Sequence, residues 1–160
     1  MRTLLLAAGV VVALAAAPGL ARAESSCAEF PKNPTKSAEV ISATREVADG
    51  KALCKVTVVS RPTKDSEIGI EVWIPIGFNW NGKFVQLGNG GFAGSINSFA
   101  LRRLAIQGYA AAATDNGHRA IGTSAAWALG HPEKIVDFGH RSLKETTDVG
   151  KALVKLQKAG

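Results

Sequence analysis

The sequence predicts an α/β domain that begins with an antiparallel hairpin and continues with a strand, a helix, a strand and further helices. Apolar and polar residues alternate over 53–58 and again over 68–74, which is the period of half-buried strands. Residues 83–87 and 109–114 read as two further strands separated by a helical segment. Because such a crossover joins parallel strands, we expect a parallel sheet covered by helices.

The hairpin is the first regular element that the pattern predicts. Residues 24–37 are polar and contain two prolines, so we expect an extended arm there. The first strand is expected to begin near Leu53, and the polar turn 61–66 leads into the second strand. The apolar positions of that second strand are Ile68, Ile70, Val72 and Ile74.

A helix is predicted after the glycine-rich segment 88–94, which follows the third strand. Ser95 is a suitable N-cap, and Gly108 stands where a glycine commonly ends a helix. The apolar residues of this helix recur at helical spacing and are Ile96, Phe99, Ala100, Leu104 and Ala105.

The second half of the chain predicts one buried strand and two helices. Residues 109–114 are small and continuously apolar, which is typical of a strand buried on both faces. A helix is expected after Pro132, and a final helix runs from about Ser142 to Ala159. This last helix places Leu143, Thr147, Leu153 and Val154 broadly on one side.

The first residues predict export. Arg2 precedes an apolar stretch over 4–17, and the small-residue pattern Ala21-Arg22-Ala23 follows. These features indicate a secretory signal peptide over 1–23, a single domain over 24–160 and a secreted or periplasmic location. The apolar stretch is shorter than the roughly 20 residues that a helix needs to cross a bilayer, so we expect no membrane span.

The cysteines, the histidines and the distribution of charge predict a disulfide and argue against metal and nucleic-acid binding. Cys27 and Cys54 are the only two cysteines, and in an exported chain they predict one structural disulfide. Neither they nor the histidines have metal-ligand spacing, so we expect no metal site. The formal net charge is +6, but the lysines stand singly and are not interleaved with aromatic residues, which argues against nucleic-acid binding.

The segment 88–94 predicts a site for an anion. Glycines permit positive φ and close approach to the backbone, and the following helix N-terminus favours negative charge. Gly88-x-Gly90-x-x-Ala93, with Asp115 after the next strand, satisfies a relaxed dinucleotide fingerprint. The preceding hairpin and the long spacing to Asp115 favour the alternative, an oxyanion hole for ester hydrolysis.

Six segments resemble the tannase and feruloyl esterase family in order and approximate spacing. They are Trp80–Phe84 (WNGKF), Gly88–Gly94 (GNGGFAG), Gly108–Ala110 (GYA), Thr114–His118 (TDNGH), Trp127–Pro132 (WALGHP) and Asp137–Ser142 (DFGHRS). Members of that family are exported α/β-hydrolases with a lid domain, and they cleave esters of aromatic acids. The resemblance implies that Gly90 or Gly91 donates a backbone N–H to the oxyanion, and that no cofactor is needed.

The family's catalytic serine, in a Gly-Cys-Ser-x-Gly-Gly elbow, is missing from this sequence, as are the acid and histidine of its triad. Any calcium site of the family belongs to the lid, which is also missing. Ser124, in Gly122–Ala126, only faintly resembles an elbow, and we expect it to be an exposed loop serine. We therefore expect the N-terminal part of an α/β-hydrolase, truncated before the nucleophile strand and inactive alone.

Three origins of such a chain remain open: a truncated reading frame, a degenerate remnant, or a half-domain completed by a separately encoded C-terminal partner. An aromatic ester is the expected substrate of the full-length enzyme only. A different class of function is a small exported protein that binds an aromatic carboxylate without chemistry.

The remaining candidates lie beside the expected active-site mouth. We expect Asp115 and His118 to order their loop, with substrate contact as the alternative. Trp127 is expected to pack in a loop or to line a pocket for an aromatic acid. His131, His140 and Arg141 are expected to hold a helix on the sheet.

Overall fold

A computed structural model describes Cys27 and residues 30–159 of the 160-residue chain. The regular elements of this part, in chain order, are β1 (Ala38–Ala48), β2 (Lys51–Ser60), β3 (Ile68–Pro75), β4 (Phe84–Gln86), α1 (Ser98–Ile106), β5 (Ala110–Thr114), α2 (Pro132–Val136) and α3 (Ser142–Ala159). A π-helical turn, Asp137–Arg141, joins α2 to α3. The predicted signal peptide, 1–23, lies outside the described residues. Among these residues, no helix has both the length and the apolar character needed to cross a bilayer.

The sheet is mixed: β2 and β3 form the predicted antiparallel hairpin, and β4 and β5 form the predicted parallel pair. The strand order is β1-β2-β3-β5-β4, and only β4 and β5 run parallel. Short connections between β1, β2 and β3 force antiparallel pairing, whereas the crossover through α1 permits parallel pairing. β5 inserts between β3 and β4 and pairs antiparallel with β3. The carboxyl ends of β4 and β5 therefore meet at one edge of the sheet.

The first strand, β1, was not predicted, because we expected regular structure to begin near Leu53. β1 pairs with β2 from Ala38 to Ala48, and a tight turn at Asp49 and Gly50, both with positive φ, reverses the chain. Its outer edge has no strand partner among the described residues, and much of it is exposed, including Ile41 and Val47. Mixed exposure of this kind hides the period-2 pattern of a strand.

Helices cover both faces of the sheet. Val149 and Leu153 of α3 pack on one face against a cluster that includes Val56 and Val72. Leu101 and Ala105 of α1 belong to a second cluster on the other face, with Leu53, Trp73 and Ala111. This double coverage explains why every residue of β5 is buried, as predicted. It also buries Glu71 and Trp73, which alternate with the apolar positions of the same strand.

Helix α1 begins later than predicted. Its N-cap is Asn97, whose side-chain oxygen accepts a hydrogen bond from Ala100 N at 3.0 Å, so Ser95 lies outside the helix. This start directs Leu101 and Ala105 toward the sheet and leaves Phe99 68% exposed, contrary to the predicted stripe. Gly108 follows the helix with a φ of +94°, as expected of a glycine at this position.

The N-terminal segment is attached to the sheet covalently. The predicted disulfide between Cys27 and Cys54 is present, with the two Cα atoms 5.6 Å apart. Further along, the Glu145 carboxylate of α3 accepts hydrogen bonds from Ser37 Oγ and Ser60 Oγ, both at 2.6 Å. These contacts join the start of β1 and the end of β2 to α3.

Candidate functional site

The glycine loop, Gly88–Gly94, follows β4 at the edge where the carboxyl ends of β4 and β5 meet. The N–H groups of Phe92, Ala93 and Gly94 donate to backbone carbonyls at 3.0 to 3.1 Å. The N–H groups of Gly90 and Gly91 have no hydrogen-bond partner in the part of the chain that the structure describes, and both residues are exposed. The loop thus presents two adjacent backbone donors to solvent, which is what binding of an anion requires.

The neighbouring loop, Ala120–Gly122, fixes the shape of the glycine loop. Phe92 N donates to Gly122 O and Gly94 N donates to Ala120 O, each at 3.0 Å. Gly91 has a φ of +56°, and a Cβ there would lie 2.7 Å from Gly122 O. Gly91 must therefore be glycine for two reasons: its backbone conformation and the approach of Gly122.

Three hydrogen bonds join the glycine loop to the end of β5 and to the turn that follows it. Asn89 Nδ2 donates to Thr114 O at 2.8 Å, and Asn116 Nδ2 donates to Ala93 O at 3.4 Å. His118 Nε2 lies 2.9 Å from Phe92 O, which as a carbonyl can only accept, so the Nε2–H donates. The three bonds fasten both ends of the loop to one strand and its following turn.

Asp115 is buried beside β3. Its Oδ1 accepts hydrogen bonds from Gly69 N at 2.8 Å and Gly117 N at 3.0 Å. It also lines an open cavity of about 330 Å³ together with Glu71, Arg119 and Gly94, the last residue of the glycine loop. β3 and β4 lie on opposite sides of β5, so this placement favours the loop-ordering interpretation over a ribose contact at the glycine loop.

Burial raises the pKa of the Asp115 carboxyl above its ordinary value of 3.8, although the bonds from Gly117 and Gly69 act in the opposite direction. Above that ordinary value the folded state therefore binds more protons than the unfolded state, and its stability falls as the pH rises. We expect Asp115→Asn, which keeps an acceptor for both N–H groups, to gain melting temperature relative to the wild type as the pH rises through and above the ordinary Asp pKa of 3.8.

Thermal melts of both proteins at pH values below and above that pKa test the prediction. Asp148→Asn, at an exposed position of α3, is the matched control for loss of one carboxylate. A constant difference in melting temperature between Asp115→Asn and the wild type at every pH would contradict the predicted linkage.

An aromatic cluster surrounds His118. The imidazole stacks on Trp127 with ring centroids 3.9 Å apart, and Phe138 packs against both rings at 5.7 and 5.2 Å. Phe138 also contacts Phe92 of the glycine loop at 5.9 Å. Trp127 Nε1 is buried without a hydrogen-bond partner among the described residues, so its indole serves packing here.

Several residues of this site were not predicted. Asn116, Phe92 and Phe138 belong to the family motifs but had no predicted role of their own, although all three contact or belong to the glycine loop. Their signal was the recurrence of whole motifs in a fixed order, because no periodicity of the sequence marks contacts between distant loops.

The remaining sequence candidates lie around this site. Arg141 bonds Ser66 and His131 bonds Asp65, so both connect the helical segment to the β2–β3 loop as expected. His140 is exposed, and the expectation that it holds the helix on the sheet is wrong. Ser124 is half-buried, and we had expected it to be exposed; its Oγ accepts from Ala126 N at 3.3 Å.

No serine hydroxyl is hydrogen-bonded to a histidine among the described residues. No group of three or more His, Cys, Asp or Glu side chains there could hold a metal ion. The glycine loop itself offers a ligand the exposed backbone N–H groups of Gly90 and Gly91.

A mixed, helix-covered sheet with a glycine loop after a parallel strand defines an α/β protein in which that loop exposes two backbone donors. The family model for tannase and feruloyl esterase matches residues 54–159, and the chain belongs to this family. It is 52% identical over 107 residues to an uncharacterized esterase of Xanthomonas campestris, covering 64% of this chain and 18% of that protein. It is 38% identical over 104 residues to a probable feruloyl esterase B-2 of Neosartorya fischeri, covering 65% and 19%.

Solved structures show the same similarity. The chain matches feruloyl esterase B from Aspergillus oryzae with a TM-score of 0.72 at 27% identity, over 82% of this chain and 29% of that one. An esterase from the same fungus matches with a TM-score of 0.73 at 27% identity, over 83% and 30%. The chain thus spans less than a fifth of the two curated relatives named above and under a third of these two structures.

Proposed function

We propose that this chain is the N-terminal portion of an exported serine esterase acting on aromatic-acid esters, and that it supplies the oxyanion donors of that enzyme. The observation that carries the proposal is the pair of exposed, unbonded N–H groups at Gly90 and Gly91. Membership of the tannase and feruloyl esterase family supports an ester substrate. The names of the relatives support a feruloyl or similar aromatic acyl group.

The sheet supports an α/β-hydrolase architecture that continues beyond this chain. β4 pairs with β5 on one side, and its other edge has no strand partner among the described residues. A parallel strand added there would end beside the glycine loop, at the position of the nucleophile strand in an α/β-hydrolase. We place the Ser-Asp-His triad in that continuation, on the same chain or on a separately encoded half.

The chemistry assigned to this portion is stabilisation of charge. The serine oxygen attacks the ester carbonyl while its proton passes to the histidine of the triad. The attack forms a C–O bond and moves the carbonyl π electrons onto oxygen. The histidine then gives that proton to the leaving alcohol. Gly90 N–H and Gly91 N–H donate to that oxyanion until the alcohol leaves, and again when water attacks the acyl-enzyme. One such donor is worth roughly 3 to 4 kcal/mol of barrier lowering in enzymes of this type.

The other candidate residues act in this proposal by ordering loops. Asp115 fixes the turn after β5, and His118 holds the carbonyl of Phe92, with Trp127 packed on its ring. None of the three contacts substrate here. The catalytic steps assigned to this portion use no cofactor, and the predicted signal peptide supports a secreted or periplasmic location.

The test is a chimera of the Xanthomonas esterase in which the matching 107-residue segment is replaced by that of this chain. We expect the chimera to hydrolyse methyl ferulate with at least about a tenth of the parent's kcat/KM, since the loss of a single oxyanion donor alone costs more than that. The chain alone is expected to leave the ester intact. A folded chimera that hydrolyses neither methyl ferulate nor an acetyl ester would overturn the proposal.

The competing function, capture of an aromatic carboxylate without chemistry, predicts a different result. A binding protein would hold ferulate when present alone, and its segment would confer no hydrolysis on the chimera. Titration of the isolated chain with ferulate, followed by the amide signals of Gly90 and Gly91, distinguishes the two functions.

A further inference from the structure

Asp137 is a fully buried carboxylate to which the ester chemistry assigns no role. It opens the π-helical turn between α2 and α3. Its Oδ1 accepts from Ser66 Oγ at 3.0 Å and from Arg141 Nη1 at 2.9 Å. Arg141 is also paired with Glu133 at 2.7 Å. A buried charge requires partners of this kind, and these hold Asp137 from the β2–β3 loop and from its own helical segment.

The other side of Asp137 packs against Gly117. A Cβ at Gly117 would lie 2.9 Å from Asp137 Cβ and 3.1 Å from its Oδ2, an oxygen without a hydrogen-bond partner among the described residues. Gly117 also has a φ of +80°, a conformation that favours glycine. Asp137 therefore packs directly against Gly117 and limits the positions that the turn after β5 can take.

The same helical segment contacts that turn at three further points. Phe138 packs on His118, Lys134 Nζ donates to Gly117 O at 3.3 Å, and Ser142 Oγ donates to Asn116 Oδ1 at 3.3 Å. A π turn adds a residue to the helical repeat and is frequent at functional sites. Here Asp137, Phe138 and Ser142 all reach the same turn.

The turn after β5 is hydrogen-bonded to the glycine loop, so the position of the turn affects the position of the loop. His118 and Asn116 donate to the carbonyls of Phe92 and Ala93, the two residues that follow Gly91. A continuous set of contacts thus runs from Asp137 through Gly117 and His118 to the donor loop. The N–H groups of Gly90 and Gly91 contribute to catalysis only if their direction is fixed before reaction.

We propose that Asp137 is a positioning residue for the oxyanion donors, acting through the turn after β5. This inference rests on the function proposed for Gly90 and Gly91. Asp137 itself touches neither substrate nor oxyanion: it sets where His118 and Asn116 hold the glycine loop.

The test uses amide hydrogen exchange on the complete chain, which needs no esterase activity. In Asp137→Ala we expect the amides of Phe92 and Gly94 to exchange about tenfold faster than in the wild type, while those of Val56 and Val72 in the central strands change much less. Asp137→Asn keeps an acceptor for Ser66 and Arg141, and we expect it to restore most of the loop protection. Asp148→Ala, an exposed carboxylate of α3, is the matched control and should leave the loop unchanged.

Two results would overturn the inference. Equal acceleration of all four amides would show that Asp137 stabilises the fold as a whole, and unchanged loop amides would show that the turn does not depend on it. In the chimera the expected signature is a lower kcat with little change in KM, because the donors act on the transition state. An inactive chimera would refute the proposed function. The hydrogen-exchange experiment needs no esterase activity, so it tests the role of Asp137 in positioning the loop independently.

Discussion

Replacing Gly94 with alanine is expected to destabilise the fold by about 3 kcal/mol, the upper range for overpacking a buried position. Gly94 is buried at the end of the glycine loop, and an added Cβ would overlap the carbonyl oxygen of His118. The same Cβ would lie 2.8 Å from the imidazole Cδ2. That imidazole is held by Trp127 and by the carbonyl of Phe92, so neither neighbour can move away easily.

Urea unfolding of Gly94→Ala and the wild type measures this effect as a change in midpoint at constant slope. Gly90→Ala is the matched control, because nothing lies within 4 Å of a Cβ at that position and its φ is not in the left-handed region. We expect the control to change the free energy of unfolding by less than about 1 kcal/mol. A Gly94→Ala protein as stable as the control would mean that the contact between the glycine loop and His118 is not tightly packed.

The strands and helices with strong periodicity could be predicted from the sequence, and the weakly patterned ones could not. The alternation in β2 and the continuously apolar run of β5 gave correct elements because burial repeats along them. β1 gave no such signal, since it is an edge strand with charged and apolar residues on exposed positions. The mixed strand order was also missed, because periodicity does not state which strands become neighbours.

The sequence predicted that the glycine-rich segment exposes backbone N–H groups, but it did not predict the contacts that hold this segment in place. The family resemblance named Gly90 and Gly91, and the N–H groups of both are exposed and unbonded among the described residues. The side-chain bonds that Asn116 and His118 donate to the glycine loop join residues 23 and 26 positions apart in the sequence. Contacts between residues so far apart in the sequence depend on the pairing of β4 with β5, and the local sequence pattern does not specify that pairing.

Gly91→Ala is expected to lower kcat/KM of the chimera for methyl ferulate about 100-fold, the scale of losing one oxyanion donor. Alanine at a φ of +56° is strained by roughly 1 to 2 kcal/mol, and its Cβ would lie 2.7 Å from Gly122 O. The backbone relieves both problems by rotating, which turns the neighbouring N–H groups away from the oxyanion. Steady-state kinetics, with circular dichroism to confirm folding, measures the change.

Gly90→Ala provides the comparison that makes this result specific. It keeps its N–H, meets no atom within 4 Å and needs no left-handed backbone, so its kcat/KM should stay within about threefold of the unmodified chimera. If both variants retain full activity, the glycine loop is not the oxyanion site, whatever the family relationship. If Gly91→Ala loses activity while KM is unchanged, the loop acts on the transition state and not on substrate capture, which is the distinction between an esterase and a protein that only binds an aromatic acid.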